Sequence, residues 1–134
     1  MGGLSDQRRT SVAIGIVRRG NEVLVGRRAA GQVLAGKHEF PGGKQLETET
    51  SAEAVQRECR EETGMEVVVG RQLLVTEADY PHGRLTLTFY ECSPADPLAV
   101  PLSPFVWWPV EQLGRLDFPP ANRDLLDLLA DETG

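Results

Sequence analysis

The spacing of apolar and polar positions assigns most elements of this chain. Residues 11–17 are apolar and rich in Val and Ile, the mark of a short buried strand. Arg18-Arg19-Gly20-Asn21 reads as a turn and residues 23–27 as a second strand, so the two form a hairpin. Residues 29–38 hold two glycines and no steady period, which predicts a loop. Strand is predicted again over 67–69 and 73–78, interrupted near Gly70, and Pro81-His82-Gly83 is a turn. From 84 to 92 the alternation is clean, with Leu85, Leu87 and Phe89 on one face and Thr86, Thr88 and Tyr90 on the other. Residues 93–104 carry four prolines and read as a surface loop. A short aromatic strand follows over 105–108, in which Trp107 and Trp108 face opposite sides. After Phe118-Pro119-Pro120 a final helix is expected, with Leu125, Leu126, Leu128 and Leu129 as its apolar face. Mixed in this way, the elements predict an α+β domain with a sheet and two main helices in layers.

Residues 40–65, FPGGKQLETETSAEAVQRECREETGM, organise the rest. Pro41 and Gly42-Gly43 permit a tight turn with its backbone open to a ligand. Thr50 with Glu53 three residues on is a capping box, so a helix should begin near Ser51. Ala52, Val55 and Cys59 make its apolar stripe, and Gly64 suits a left-handed C-terminal cap. On such a helix Glu58 projects beside both Glu61 and Glu62. Carboxylates crowded together repel unless something positive sits among them, and a hard divalent cation prefers oxygen ligands. The stretch therefore reads as a metal site for a phosphate ester.

Composition narrows the partners. At 134 residues, 40% hydrophobic and 25% charged, the chain is one soluble globular domain, 1–134, with residues 1–10 frayed. A net charge of −6 and a pI near 4.9 argue against a nucleic-acid polymer, while a small phosphorylated ligand remains open because bound metal can neutralise it. Cys59 reads as a buried free thiol, no zinc spacing is present, and no segment reaches membrane-spanning length, so a reducing cytoplasm is expected.

Gly43, Glu49, Arg57, Glu58, Cys59, Glu61, Glu62, Gly64 and Met65 fill every fixed position of the pattern GX5EX7REUXEEXGU, and this stretch resembles a complete Nudix box. The resemblance implies a mixed β-sheet flanked by helices, an α/β/α sandwich in which the box forms a loop–helix–loop. It implies hydrolysis of a nucleoside diphosphate linked to another group, using Mg²⁺ or Mn²⁺. Glu58, Glu61 and Glu62 would hold metal, with the carbonyl of Gly42 a further ligand, while Glu49 and Arg57 would orient the loop and the carboxylates.

GRRAA at 26–30, KHEFPGGK at 37–44 and FPPAN at 118–122 resemble the MutT group, which removes oxidised guanine nucleotides. That likeness would place Asn122 against a purine base, its amide acting as donor and acceptor; as a plain helix N-cap it would serve structure alone. Arg28 would lie near the nucleotide, and Phe40 and Tyr80 would line the base pocket. The expected reaction converts a nucleoside triphosphate, 8-oxo-dGTP first, to monophosphate and pyrophosphate in a monomer or homodimer. Other Nudix substrates, such as CTP or an oxidised pyrimidine, a dinucleoside polyphosphate or ADP-ribose, stay open, as does a non-catalytic nucleotide-binding module. One departure stands out. MutT-like enzymes commonly supply another glutamate from the loop before the last strand, where this chain has only Asp96; Asp96, Glu77 or Asp79 substitutes, or a box glutamate is the base.

Overall fold

In the computed structural model, residues 9–32, 35–81 and 83–133 are described, the side chains of Tyr80 and Thr133 excepted. Seven strands form one mixed sheet: β1 (Arg9–Arg19), β2 (Glu22–Arg27), β3 (His38–Glu39), β4 (Gly42–Lys44), β5 (Val67–Tyr80), β6 (Gly83–Pro94) and β7 (Val106–Pro109). Helix α1 (Ser51–Thr63) follows β4, and α2 (Arg123–Thr133) closes the chain after two short 3-10 turns, Val110–Arg115 and Pro120–Asn122. Strand β1 runs parallel to β6 from Arg9–Arg84 to Val17–Cys92. Its other edge pairs antiparallel with β4 at Val12–Ile14 and with β2 at Arg18–Arg19.

Both faces of β1 are covered, which explains its unbroken apolar run. Ile14 and Ile16 point into a core shared with Val25, Phe89, Leu125 and Leu129. Ala13 and Val17 point the opposite way, against Val55, Cys59 and Met65. The sheet is thus a true sandwich layer, as the Nudix resemblance implies.

Several boundaries differ from the sequence reading. Gly42 and Gly43 form a strand and not a tight turn, and β3 lies at the edge of a predicted loop. Two- and three-residue strands are too short to show a period. The break near Gly70 is a pair of register shifts within one continuous strand, between Val69 and Gln72 and between Gln72 and Leu74. The buried stripe of α1 is Ala54, Val55, Cys59 and Thr63, whereas Ala52 is only half-buried. Thr63 satisfies its hydroxyl locally, donating to Cys59 O at 2.6 Å and accepting the Met65 N–H at 3.1 Å. His82, within the expected turn, lies outside the described residues.

The glycines of β4 are required by contact. A Cβ on Gly42 would lie 2.5 Å from Ala13 O and 2.8 Å from Ile14 Cα, both rigid backbone. On Gly43 it would lie 2.4 Å from a Glu58 carboxylate oxygen. Gly42→Ala should therefore cost about 1–3 kcal/mol of stability, the usual scale of forced overpacking. Gly114, with nothing within 4 Å of its Cβ position, provides the control. Urea unfolding of Gly42→Ala and Gly114→Ala checks this, the control shifting by less than about 0.5 kcal/mol.

Candidate active site

Helix α1 is fixed at both ends before it presents any carboxylate. At its start Thr50 accepts the Glu53 N–H (3.1 Å) and Glu53 accepts the Thr50 N–H (2.8 Å), closing the capping box. At its end Gly64, at φ 75°, returns its N–H to Arg60 O at 3.0 Å.

Between these caps, Arg57 is the hub. Its guanidinium forks onto Glu49, with Nε–Oε2 3.0 Å and Nη2–Oε1 2.7 Å, and donates to Lys44 O at 2.9 Å. It also reaches Glu58 at 3.1 Å and Glu61 at 3.4 Å. Bidentate pairing of this kind fixes orientation as well as proximity. Hydrogen bonds from Arg57 and from the Leu46 N–H hold the Glu49 carboxyl below its usual range. The Arg57 guanidinium is raised further, through Glu49 above all.

The three box glutamates are not grouped as their helical spacing implies. Glu58 and Glu62 come together: Glu58 lies over Gly43, and Glu62 accepts the Gly42 N–H at 3.2 Å. Burial pushes the Glu62 carboxyl well up; the Gly42 N–H opposes, while the charge of Glu58, a hydrogen bond shared with it, and Glu39 reinforce the rise. Glu61 is the outer member, its side chain 58% exposed against 15% for Glu58, and Arg57 Nη1 touches both. Among the described residues no three His, Cys, Asp or Glu side chains stand as a ready-made metal cage. The bonds flanking Gly42 in the β1–β4 ladder, Gly15 N–H to Pro41 O and Gln45 N–H to Ser11 O, leave the polar groups of Gly42 on the edge away from β1. Its carbonyl thus shares the edge on which its N–H meets Glu62.

Beside this pair opens a cavity of about 740 Å³. Its wall includes Arg28, Phe40, Gly42, Lys44 and Asn122, so residues from three separate parts of the sequence meet there. Phe40 is 6% exposed and stacks on Phe118 at 4.7 Å and 20°. Asn122, 9% exposed, makes one long side-chain contact, Nδ2 to Pro119 O at 3.5 Å, which leaves most of its amide capacity unused. Arg28 pairs with Glu39 at 3.0 Å. The Tyr80 side chain lies outside the described residues. Trp107 and Trp108 do pack into opposite cores, Trp107 beneath the Arg19 guanidinium at 4.3 Å.

Spacing alone did not single out Glu39, Lys44 and Arg84, which also line the cavity. Glu39 and Lys44 bracket FPGG, so the motif itself carried the signal; Arg84 had none beyond its place in an alternating strand. Burial raises the Glu39 carboxyl, with Arg28 opposing. Lys44, Arg28 and Arg84 bring basic groups to the cavity wall, Arg28 paired with Glu39 and Arg84 with Asp79 and Glu77. The candidate substitute acids are engaged elsewhere: Asp79 and Glu77 hold Arg84 at 2.9 and 3.4 Å, and Asp96 accepts the Leu98 N–H at 2.9 Å within its own turn. The proline-rich loop is tied to the end of α1, with Leu102 N–H on Thr63 O and Ala95 N–H on Glu66 O, both 2.9 Å.

A carboxylate-bearing helix laid over a glycine strand, beside a cavity on a mixed sheet, is the loop–helix arrangement that the Nudix resemblance implies. The chain belongs to the Nudix hydrolase family, the NUDIX domain profile matching residues 12–128. It is MutT-like: it is 35% identical over 122 residues to the 8-oxo-dGTP diphosphatase of Escherichia coli K12, covering 89% of this chain and 95% of that one. It is also 31% identical over 111 residues to the CTP pyrophosphohydrolase of the same organism, covering 69% and 82%. Among solved structures, the E. coli ORF135 protein matches with TM-score 0.82 at 25% identity, covering 100% of this chain and 95% of that one. The MutT protein of methicillin-resistant Staphylococcus aureus 252 matches with TM-score 0.74 at 27% identity, covering 94% and 98%. No helix among the described residues is long and apolar enough to cross a membrane.

The Glu49–Arg57 fork carries a pH signature. The folded carboxyl is held below its ordinary value of 4.5, so its stabilisation is complete above that pH and is lost as pH falls through the lower, folded value. Thermal melts of Glu49→Gln should accordingly lose less stability than wild type between pH 5 and pH 3.

Proposed function

We propose that this chain hydrolyses a nucleoside triphosphate to the monophosphate and pyrophosphate, with 8-oxo-dGTP the preferred substrate. One observation supports it above the rest: a single cavity joins Asn122, Phe40 and Arg28 to the strand that lies directly beneath Glu58 and Glu62. The cavity accommodates a nucleotide in size, and Lys44 on its wall suits a phosphate. The name carried by the relatives at 30–35% identity agrees.

Nudix hydrolases are generally dependent on divalent metal, and the donor set here fits one. Two carboxylates pressed together, one driven toward its protonated form by burial, are an oxygen site that a hard cation would stabilise in place of the proton. Glu58, Glu62 and the Gly42 carbonyl would hold Mg²⁺ or Mn²⁺, with Glu61 contributing once it leaves Arg57. When bound, the metal neutralises phosphate charge and lowers the pKa of the attacking water. The protein's own groups supply the rest. A box carboxylate of the Glu58–Glu62 pair takes the proton of the attacking water, since Asp79, Glu77 and Asp96 are engaged elsewhere. Lys44 and Arg28 orient the phosphates, and Asn122 reads the base edge, with Phe40 backing the pocket.

Glu58→Gln and Glu62→Gln should each lower kcat by at least about 100-fold while the thermal melt stays cooperative. Pyrophosphate release in Mg²⁺ is the measurement, and near-native turnover in both variants would refute the metal site. A second reading follows from the likeness to the CTP pyrophosphohydrolase: the same chemistry on a pyrimidine. A panel of 8-oxo-dGTP, dGTP and CTP separates the two. Asn122→Ala should reduce purine over pyrimidine preference about tenfold or more, the scale of a lost buried polar contact. An unchanged preference would rule Asn122 out as the base reader.

A further inference from the structure

Strand β3 is only two residues long, yet both of its sides are occupied. On one side it pairs with Gly26 and Arg27 of β2. On the other it holds the segment that enters the cavity wall: the His38 N–H donates to Asp117 O at 2.8 Å, and the Asp117 N–H donates back to His38 Nδ1 at 3.1 Å. Lys37 adds an ion pair to Asp117 at 2.9 Å. The imidazole meets Trp108 edge-on at 6.3 Å and lies tilted on Phe118 at 6.0 Å, while Phe118 stacks on Phe40. Beyond Phe118 the chain passes through Pro119 and the turn Pro120–Asn122. The cavity wall at Asn122 is therefore anchored five residues upstream, at Asp117, by its bonds to His38.

A ring nitrogen accepts a hydrogen bond only when it carries no proton. We propose that His38 is a positioning residue whose neutral imidazole fastens residues 117–122, and Asn122 with them, over the nucleotide cavity, and whose protonation releases them. This rests on the reading of that cavity as the base pocket. The charged groups around the ring are Arg27 from β2, Asp117 from the fastened segment, and Lys37 beside it in sequence; β7 contributes only the Trp108 ring. Burial holds His38 below its ordinary value of 6.5, Arg27 pushes the same way, and the Asp117 backbone and carboxylate oppose. The unfolded chain thus binds the proton more readily, so the fastening is complete above pH 6.5 and is lost as pH falls through the lower, folded value.

The test compares wild type, His38→Asn and His38→Leu. Asparagine places an oxygen near the Nδ1 position and cannot be protonated; leucine keeps bulk without an acceptor. Hydrogen exchange of residues 117–122 is read as protection factors at pH 7.5 and pH 5.0. KM is followed over the same range for whichever of 8-oxo-dGTP and CTP the chain turns over. Wild-type protection should fall roughly fivefold at the lower pH, the size of one lost neutral hydrogen bond, with a matching rise in KM. His38→Asn should hold both flat and His38→Leu should be impaired at both values. Titration of the substrate and of the box glutamates is common to the three proteins and cancels in the comparison. Wild-type protection that ignores pH would overturn the proposal and leave the cavity reading standing. Protection that follows pH while KM does not would overturn the base-pocket reading, and the positioning role with it.

Discussion

The fork between Arg57 and Glu49 is the constraint on which the site depends. It joins the loop after β4 to the middle of α1, and its remaining donors set where the other carboxylates go. Glu58 lies inward over Gly43 and Glu61 stays exposed, with one nitrogen of Arg57 touching both. Glu62 then has a single carboxylate neighbour in close contact and a backbone N–H from Gly42. A cation is therefore built into the helix to arrange anions, leaving one acidic pair at the cavity rather than an evenly repelling triad.

The second requirement is close approach. Strand β4 runs so near β1 that Gly42 has no room for a methyl group, and the carboxylate of Glu58 on α1 rests over Gly43. Gly42 thus serves distance, whereas Gly64, at φ 75°, serves the turn that ends the helix. This juxtaposition is anchored to β1, a strand with a core on each face, which suits a site whose parts must hold their positions closely.

Much of this was legible in sequence where the signal is local and repeated. The helix, both of its caps and the alternating strand β6 were readable because each rests on spacing within a dozen residues. What was not legible depends on encounters across the chain. Spacing put Glu61 beside Glu58, but it could not show that the fold buries Glu58 and leaves Glu61 exposed. Strands β3 and β4 are too short to carry a period, so the pairing of Gly42 with Ile14 and the tie from His38 to Asp117 left no trace. Asn122 and Arg28 could be linked to one cavity only through a resemblance, since nothing in their spacing brings residues so far apart together. Arg84 enters that cavity from a strand whose alternation gave no hint of function.

The architecture sets the paired carboxylates of the proposed metal site, arranged around Arg57, apart from a cavity wall tied to β3. The most direct test of the first half is Mn²⁺ binding followed by electron paramagnetic resonance in wild type, Glu58→Gln, Glu61→Gln and Glu62→Gln, without nucleotide. The account predicts that loss of Glu58 or Glu62 abolishes the tight site and that loss of Glu61 weakens it less. Retained binding in Glu62→Gln together with loss in Glu61→Gln would contradict it.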